Sequence, residues 1–248
     1  MAPYIYGKRN GIHIINVKET VKGLLVAKKF ITQTVAQGRD VLFVGTKRQA
    51  RQAVVEQAAR CSMPYVCERW LGGTLTNFRT IRSRLARLEE LEALEDTGQI
   101  NTYSKKMVTT LMREKRKIKR NLEGIRKMAQ LPGAVMVVDC RREHLALREA
   151  RKLGIATIGL IDTNSDPDLV DIAIPGNDDA MRTIELLFKE LADSVEQGRA
   201  AQPAEQDKGA AKRASDRGAT IARADGSDAP TLAADDAASA PPEAQAQS

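Results

Sequence analysis

The chain is poor in the residues on which most catalysts and membrane proteins depend. It holds two histidines, three cysteines and one tryptophan in 248 residues, and aromatics make up only 4% of it. No apolar run approaches the ~18 residues that a bilayer-spanning helix needs. The opening MAPYIYGKRNG lacks an apolar signal core, which argues against secretion by that route. Cys61, Cys67 and Cys140 are odd in number and unrelated in spacing. They make neither a disulfide framework nor a Cys-x-x-Cys metal knuckle, and they read as reduced thiols of a cytosolic chain. His13 sits among Ile12, Ile14 and Ile15 and reads as a structural histidine, while His144, in an Arg- and Glu-rich helix start, reads as solvated. No Ser-His-Asp order, Cys-His pair or His-x-x-x-His spacing is present, so the chain shows no positive sign of an enzyme, a metal or a cofactor.

The phosphate motifs fail as well. Gly45-Thr46-Lys47-Arg48-Gln49-Ala50 has one glycine and matches neither the dinucleotide nor the P-loop fingerprint. Asp162-Thr163-Asn164-Ser165-Asp166-Pro167-Asp168 begins like a calcium loop, but Pro167 stands where glycine is required and Ala173 where the bidentate Glu belongs. Asx turns account for it more simply. The rival functional reading is an enzyme or signalling domain with Lys47, Asp139 and Asp162 around a phosphate at the strand ends.

What the chain does have is charge, unevenly placed. Net charge is +7 overall, but residues 203–248 are net −3, which leaves +10 on residues 1–202. The segment 70–130 alone carries 14 Lys/Arg against 7 Asp/Glu. Its acids gather at Glu89, Glu90, Glu92, Glu95 and Asp96; its second half holds ten cations against Glu114 and Glu123. The tail from 198 to 248 is rich in Ala, Asp, Pro, Gln and Ser and is predicted to be disordered, because it cannot bury enough apolar surface to offset chain entropy.

Short, continuously apolar runs alternate with helical patterns over residues 1–197. Strands are predicted at Asp40–Gly45, Met63–Cys67, Ala134–Asp139, Ile155–Asp162 and Asp171–Pro175. Helices are predicted at Val17–Gln37, at Thr46–Arg60 with Thr46 as N-cap, at Glu143–Leu153 before Gly154, and at Asp178–Glu196 capped by Asn177 or Asp178. Uniformly apolar strands separated by helices argue for an α/β fold: a doubly wound parallel sheet covered on both faces. Residues 77–130 interrupt this rhythm. Phe78, Ile81, Leu85, Leu88, Leu91 and Leu94, then Met107, Leu111, Ile118, Leu122, Ile125 and Ala129, mark two helices joined by Asp96-Thr97-Gly98. They predict an inserted antiparallel helical hairpin with a coiled-coil-like seam, imperfect at Lys115. Its basic face suits a phosphate backbone, and the scarcity of aromatics argues for shape and backbone recognition of structured RNA.

The chain resembles the bacterial small-subunit ribosomal protein family called S-two over about Ala2 to Glu196. The resemblance is carried by MAPYIYGKRNGIHIINV, VLFVGTKRQA, RWLGGTLTNFRTIRSRL, REKRKIKRNLEGI, LPGAVMVVDCRREHLALREARKLGIATIGLIDTN and IPGNDDAMRTIELL, in that order. Pro132, Asp139, Glu149, Gly154 and Ile155 match the family's strand-and-loop signature. The resemblance implies a three-layer α/β/α flavodoxin-like sheet with an inserted basic hairpin. It also implies a non-enzymatic cytoplasmic role in the small ribosomal subunit, with small-subunit rRNA and neighbouring ribosomal proteins, including S-one, as partners. The family normally carries a segment before Met-Ala-Pro-Tyr, and the expectation is a start assigned too late. Arg82, Arg84, Lys105, Lys106, Arg113, Arg116, Lys117, Lys119 and Arg120 are the expected phosphate contacts. No small-molecule substrate and no membrane partner are expected.

Overall fold

A computed structural model describes residues 1–202; the predicted tail lies outside the described residues from 203 on, but its first three residues, 198–200, are the last turn of a helix in which Gly198 is buried, so the ordered part runs further than predicted. Five strands form a parallel sheet: β3 (Val41–Val44), β4 (Tyr65–Val66), β5 (Ala134–Val138), β6 (Ala156–Ile161) and β7 (Ile172–Pro175), in the order β4-β3-β5-β6-β7. Counted within the sheet this is the order 2-1-3-4-5, the flavodoxin-like winding. Each strand is short and apolar, and period-2 alternation sends its side chains to opposite faces. Val41, Phe43, Ala134, Met136 and Val138 enter one core with α1 (Val17–Ala36), α2 (Arg51–Cys61) and α6 (Met181–Ala200). Leu42, Val44, Val135 and Val137 enter the other, beneath α5 (His144–Lys152) and the roots of an inserted hairpin. Phe43 meets Phe188 of α6 edge to face, with ring centroids 5.5 Å apart, a favoured aromatic geometry.

The hairpin joins β4 to β5, as the heptad-like spacing predicts. Its arms are α3 (Phe78–Asp96) and α4 (Lys105–Leu122), followed by a 3₁₀ turn at Glu123–Ile125. Ile81 and Leu85 of the first arm, and Leu122, Ile125 and Met128 at the end of the second, belong to the core under the sheet. The arm is therefore rooted at both feet, and its first helix is about 28 Å long in all at ~1.5 Å per residue. Gly124 makes the return possible: a Cβ there would lie 2.2 Å from the Tyr65 carbonyl oxygen. Gly124→Ala is expected to push the arm's second foot off β4 and lower stability by ~1–3 kcal/mol, the usual cost of overpacking; an unchanged urea midpoint would refute this.

Three features differ from the sequence-based expectations. The chain does not enter a helix at Thr46. Both the Thr46 amide and hydroxyl donate to Oε1 of Glu143, the amide at 3.3 Å, so Thr46 is not free to cap, and α2 begins at Arg51. After β7, Asn177 does act as a cap-like acceptor, for the amides of Asp179 and Ala180 at 2.8 and 3.2 Å. Asp178 is drawn aside by Lys47, and α6 starts later, at Met181. The third feature is an N-terminal ribbon, β1 (Ile5–Arg9) paired antiparallel with β2 (Ile12–Ile15) around Asn10 and Gly11 at φ 50° and 81°. His13 lies on this ribbon, exposed to solvent rather than in a core.

Candidate nucleic-acid interface

The interface begins with the loop that launches the hairpin. Residues 70–77 contain Gly72-Gly73 and three polar side chains, with little apolar surface beyond Trp70, Leu71 and Leu75 to fix them. A single carboxylate from α5 organises them. Glu149 Oε1 accepts the Trp70 indole N–H at 3.0 Å and the Gly73 amide at 2.8 Å. Its Oε2 accepts the amides of Leu75 and Thr76 at 3.0 and 3.1 Å and the Thr76 hydroxyl at 3.2 Å. Partial burial works against the Glu149 charge, but the donors outweigh it and hold the carboxyl below its usual 4.5. This makes Glu149 the fastening of the arm; the sequence signature contains it without revealing its role.

The hairpin seam is part apolar and part ionic. Leu85, Leu88, Leu91, Leu111 and Leu122 are buried. Lys115, which interrupts the apolar seam, forms an ion pair with Glu95 of the facing helix. Arg126 reaches Glu92 at 2.8 Å and Glu89 at 3.7 Å, and Lys119 lies 3.9 Å from Glu92. The acids of α3 therefore neutralise one edge of α4, which corrects the expectation that the basic arm goes unpaired. Met107 is also 47% exposed rather than part of the seam.

The opposite edge of α4 is different. At 3.6 residues per turn, Lys105, Arg116, Arg120, Arg113, Lys106 and Lys117 fall within ~120° of arc, and all six are exposed. Arg120 alone of these has an acidic partner among the described residues, Glu68, which it meets at 2.7 Å. Of the other expected contacts, Arg84 is exposed on α3. It lines a groove of about 320 Å³ with Lys117 and Ile118 at the arm's base. Arg82, also exposed on α3, donates to the Ala129 carbonyl at 3.2 Å. The structure thus gathers six of the nine expected residues on one surface of α4, with Lys119 at its seam edge and Arg82 and Arg84 on the neighbouring helix.

That surface also faces the body, which the sequence pattern did not reveal. Arg51, at the start of α2, and Arg69, in the loop after β4, join Arg113, Arg116, Lys117 and Arg120 around a cleft of about 540 Å³. Glu68 stands between the two elements, accepting from Arg51 at 3.3 Å and from Arg120 at 3.1 and 2.7 Å.

The strand-end crevice, where a doubly wound sheet would take a nucleotide, is occupied by the protein's own groups. Glu143, 3% exposed, fills the space beside Thr46, and burial pushes its carboxyl up. Arg142 Nε donates to the Thr46 hydroxyl at 2.9 Å. Lys47 Nζ lies 2.7 Å from Asp178 and 2.6 Å from Asp179, so the lysine that the rival reading assigns to a phosphate is already paired. Asp139 accepts the Arg142 amide, and Asp162 the amide of Thr163. Burial raises the Cys140 thiol to about 12, so it stays protonated and unreactive. Lys47, Asp139 and Asp162, the residues of the rival reading, are thus each bonded within the chain.

Comparisons with known proteins identify the family. Residues 1–198 match the model of the family described as ribosomal protein S2. The chain is 60% identical to small ribosomal subunit protein uS2 of Rhodopirellula baltica, over 80% of this chain and 76% of that one. It is 52% identical to the uS2 of Syntrophobacter fumaroxidans, over 80% and 73%, and 51% identical to that of Mycolicibacterium vanbaalenii, over 86% and 79%. The chain therefore belongs to the ribosomal protein S2 family, structural and non-enzymatic proteins of the small ribosomal subunit.

Proposed function

We propose that the chain holds small-subunit rRNA by its sugar–phosphate backbone, with the outer surface of α4 as the gripping face and the α/β body as the platform. One observation carries this reading: six cations share a single arc of α4 with no acid among them. Clustering like charges in this way is unfavourable for the free chain and favourable beside a polyanion, which releases counterions on binding. Recognition of this kind reads shape and backbone rather than base edges.

Protein neighbours meet a different surface. Tyr6, Ile12 and Ile14 of the N-terminal ribbon are 80%, 70% and 44% exposed. Val17, Val21 and Leu25 continue the apolar surface along one stripe of α1 and are also exposed. A two-stranded ribbon with its apolar side in water is marginal alone, and an apolar stripe is matched by a protein rather than by phosphates. On this reading the ribbon serves recruitment of S-one and other neighbours. No helix among the described residues is long and apolar enough to cross a membrane.

Sucrose-gradient sedimentation of a tagged full chain tests both parts. The wild type is expected in the small-subunit peak, and its absence there would overturn the proposal. A Tyr6→Ser/Ile12→Ser variant is expected to enter the same peak with depleted S-one; undiminished S-one would remove the ribbon from the account.

A further inference from the structure

The corner between arm and body has chemistry that the outer stripe alone does not explain. Six cations surround one carboxylate in a cleft of about 540 Å³. Five of the six are arginines, whose planar forks match phosphate oxygens two at a time. They come from three separate places: the first residue of α2, the loop after β4, and four positions along α4. Glu68 links these elements by accepting from Arg51 and Arg120 together, so these two guanidinium groups are held in position before any ligand arrives. One carboxylate cannot balance six cations, and the cleft keeps a strong positive excess.

We infer that this cleft is a backbone clamp for structured RNA: it takes consecutive phosphates of one strand between α4 and the body, with Arg51 and Arg69 contributing as much as the residues of α4. The inference rests on the reading of α4 as the RNA-facing surface and extends it to residues outside the hairpin. An acidic protein segment is the competing occupant. The lining argues against it: the cleft walls are Arg, Lys, Glu and Asn without one apolar side chain. Protein interfaces have an apolar centre depleted of charge, whereas nucleic-acid interfaces are polar and strongly cationic.

The test measures binding of the full chain to deproteinised small-subunit RNA across a salt series. Arg51→Gln/Arg69→Gln removes two clamp charges from outside the hairpin. Lys105→Gln/Lys106→Gln removes two from the far end of α4, away from the cleft. The clamp predicts that the first pair lowers the log–log salt slope by ~1.4–1.8 and the affinity near 0.1 M by ~25–60-fold. Arg69→Gln alone, at an exposed side chain with no acidic partner among the described residues, should cost ~5–8-fold and gives a reading even if the double variant folds poorly. If the Lys105/Lys106 pair lowers the slope and the Arg51/Arg69 pair does not, the clamp is overturned while α4 stands. If neither pair changes it, the reading of α4 falls as well. Loss of subunit association by the Arg51/Arg69 variant, with affinity for bare RNA intact, would assign the cleft to an acidic protein and overturn the clamp.

Discussion

Alanine at position 149 is expected to unfasten the arm. Five donors on residues 70–76 converge on the two oxygens of Glu149, and none of them has an alternative acceptor within the loop among the bonds described above. Donors left facing a partly buried space keep much of their desolvation penalty, so the loss is ~2–4 kcal/mol. Trp70, 6% exposed, carries the damage into the core beneath the sheet. Amide exchange should accelerate first in residues 70–77 and then at the feet of α3 and α4, and the urea midpoint should fall. Wild-type exchange rates in the alanine variant would show that the loop is held by something else. The sign of the pH effect follows from the depressed carboxyl. Glu149 is ionised in the folded chain at pH values where the unfolded chain is already taking up protons. Its contribution is complete above the ordinary carboxylate value and disappears as pH falls below about 4.5 and through its own lower value. The alanine variant should lose less stability than the wild type over that interval.

Neutralising the outer face of α4 should have the largest effect on binding. Glutamine at Lys105, Arg113, Arg116 and Lys117 together removes four phosphate contacts. At ~0.7–0.9 of log–log slope per contact, that is a fall of ~2.8–3.6 in slope and roughly 600- to 4,000-fold in affinity near 0.1 M salt. Melting temperature should barely change, since none of the four has an acidic partner to lose among the described residues. Glutamine at Lys115 and Arg126 removes two charges from the same hairpin but should do the reverse. It breaks pairs with Glu95, Glu92 and Glu89, so the arm should loosen while the salt slope holds. Equal effects on slope from the two sets would mean that the arm attracts RNA by total charge rather than by a defined face.

The legible parts of the fold were those where local pattern and tertiary need coincide. Val41–Val44 and Ala134–Val138 could be read because both faces of a central parallel strand are buried, which leaves an unbroken apolar run. The hairpin could be read because its leucines repeat at helical spacing. The sequence places helix starts at 46 and 178, and the structure moves both for one reason: Thr46 and Asp178 have cap-forming side chains that distant residues, Glu143 and Lys47, claim first. Such bonds span 97 and 131 positions of sequence and leave no local trace. The N-terminal ribbon did leave one. Asn10-Gly11, between Ile5–Arg9 and Ile12–Ile15, is a hairpin turn with both residues at positive φ. At the interface, the cations of α4 were evident from composition, but which edge Glu92 and Glu95 neutralise is decided only when α3 folds back. Arg51 and Arg69 belong to the cleft through the sheet order alone.

The arm has both of its feet in one apolar layer, and this governs what a break in the chain would do. A protease cut at the exposed Thr97-Gly98 tip would divide the polypeptide into two fragments, one with β1 to β4 and α1 to α3, the other with α4 to α6 and β5 to β7. Each fragment keeps a foot under the sheet, and β3 and β5 still pair along their edges. The nicked molecule would stay assembled, much as a clasp holds when only its far end is severed.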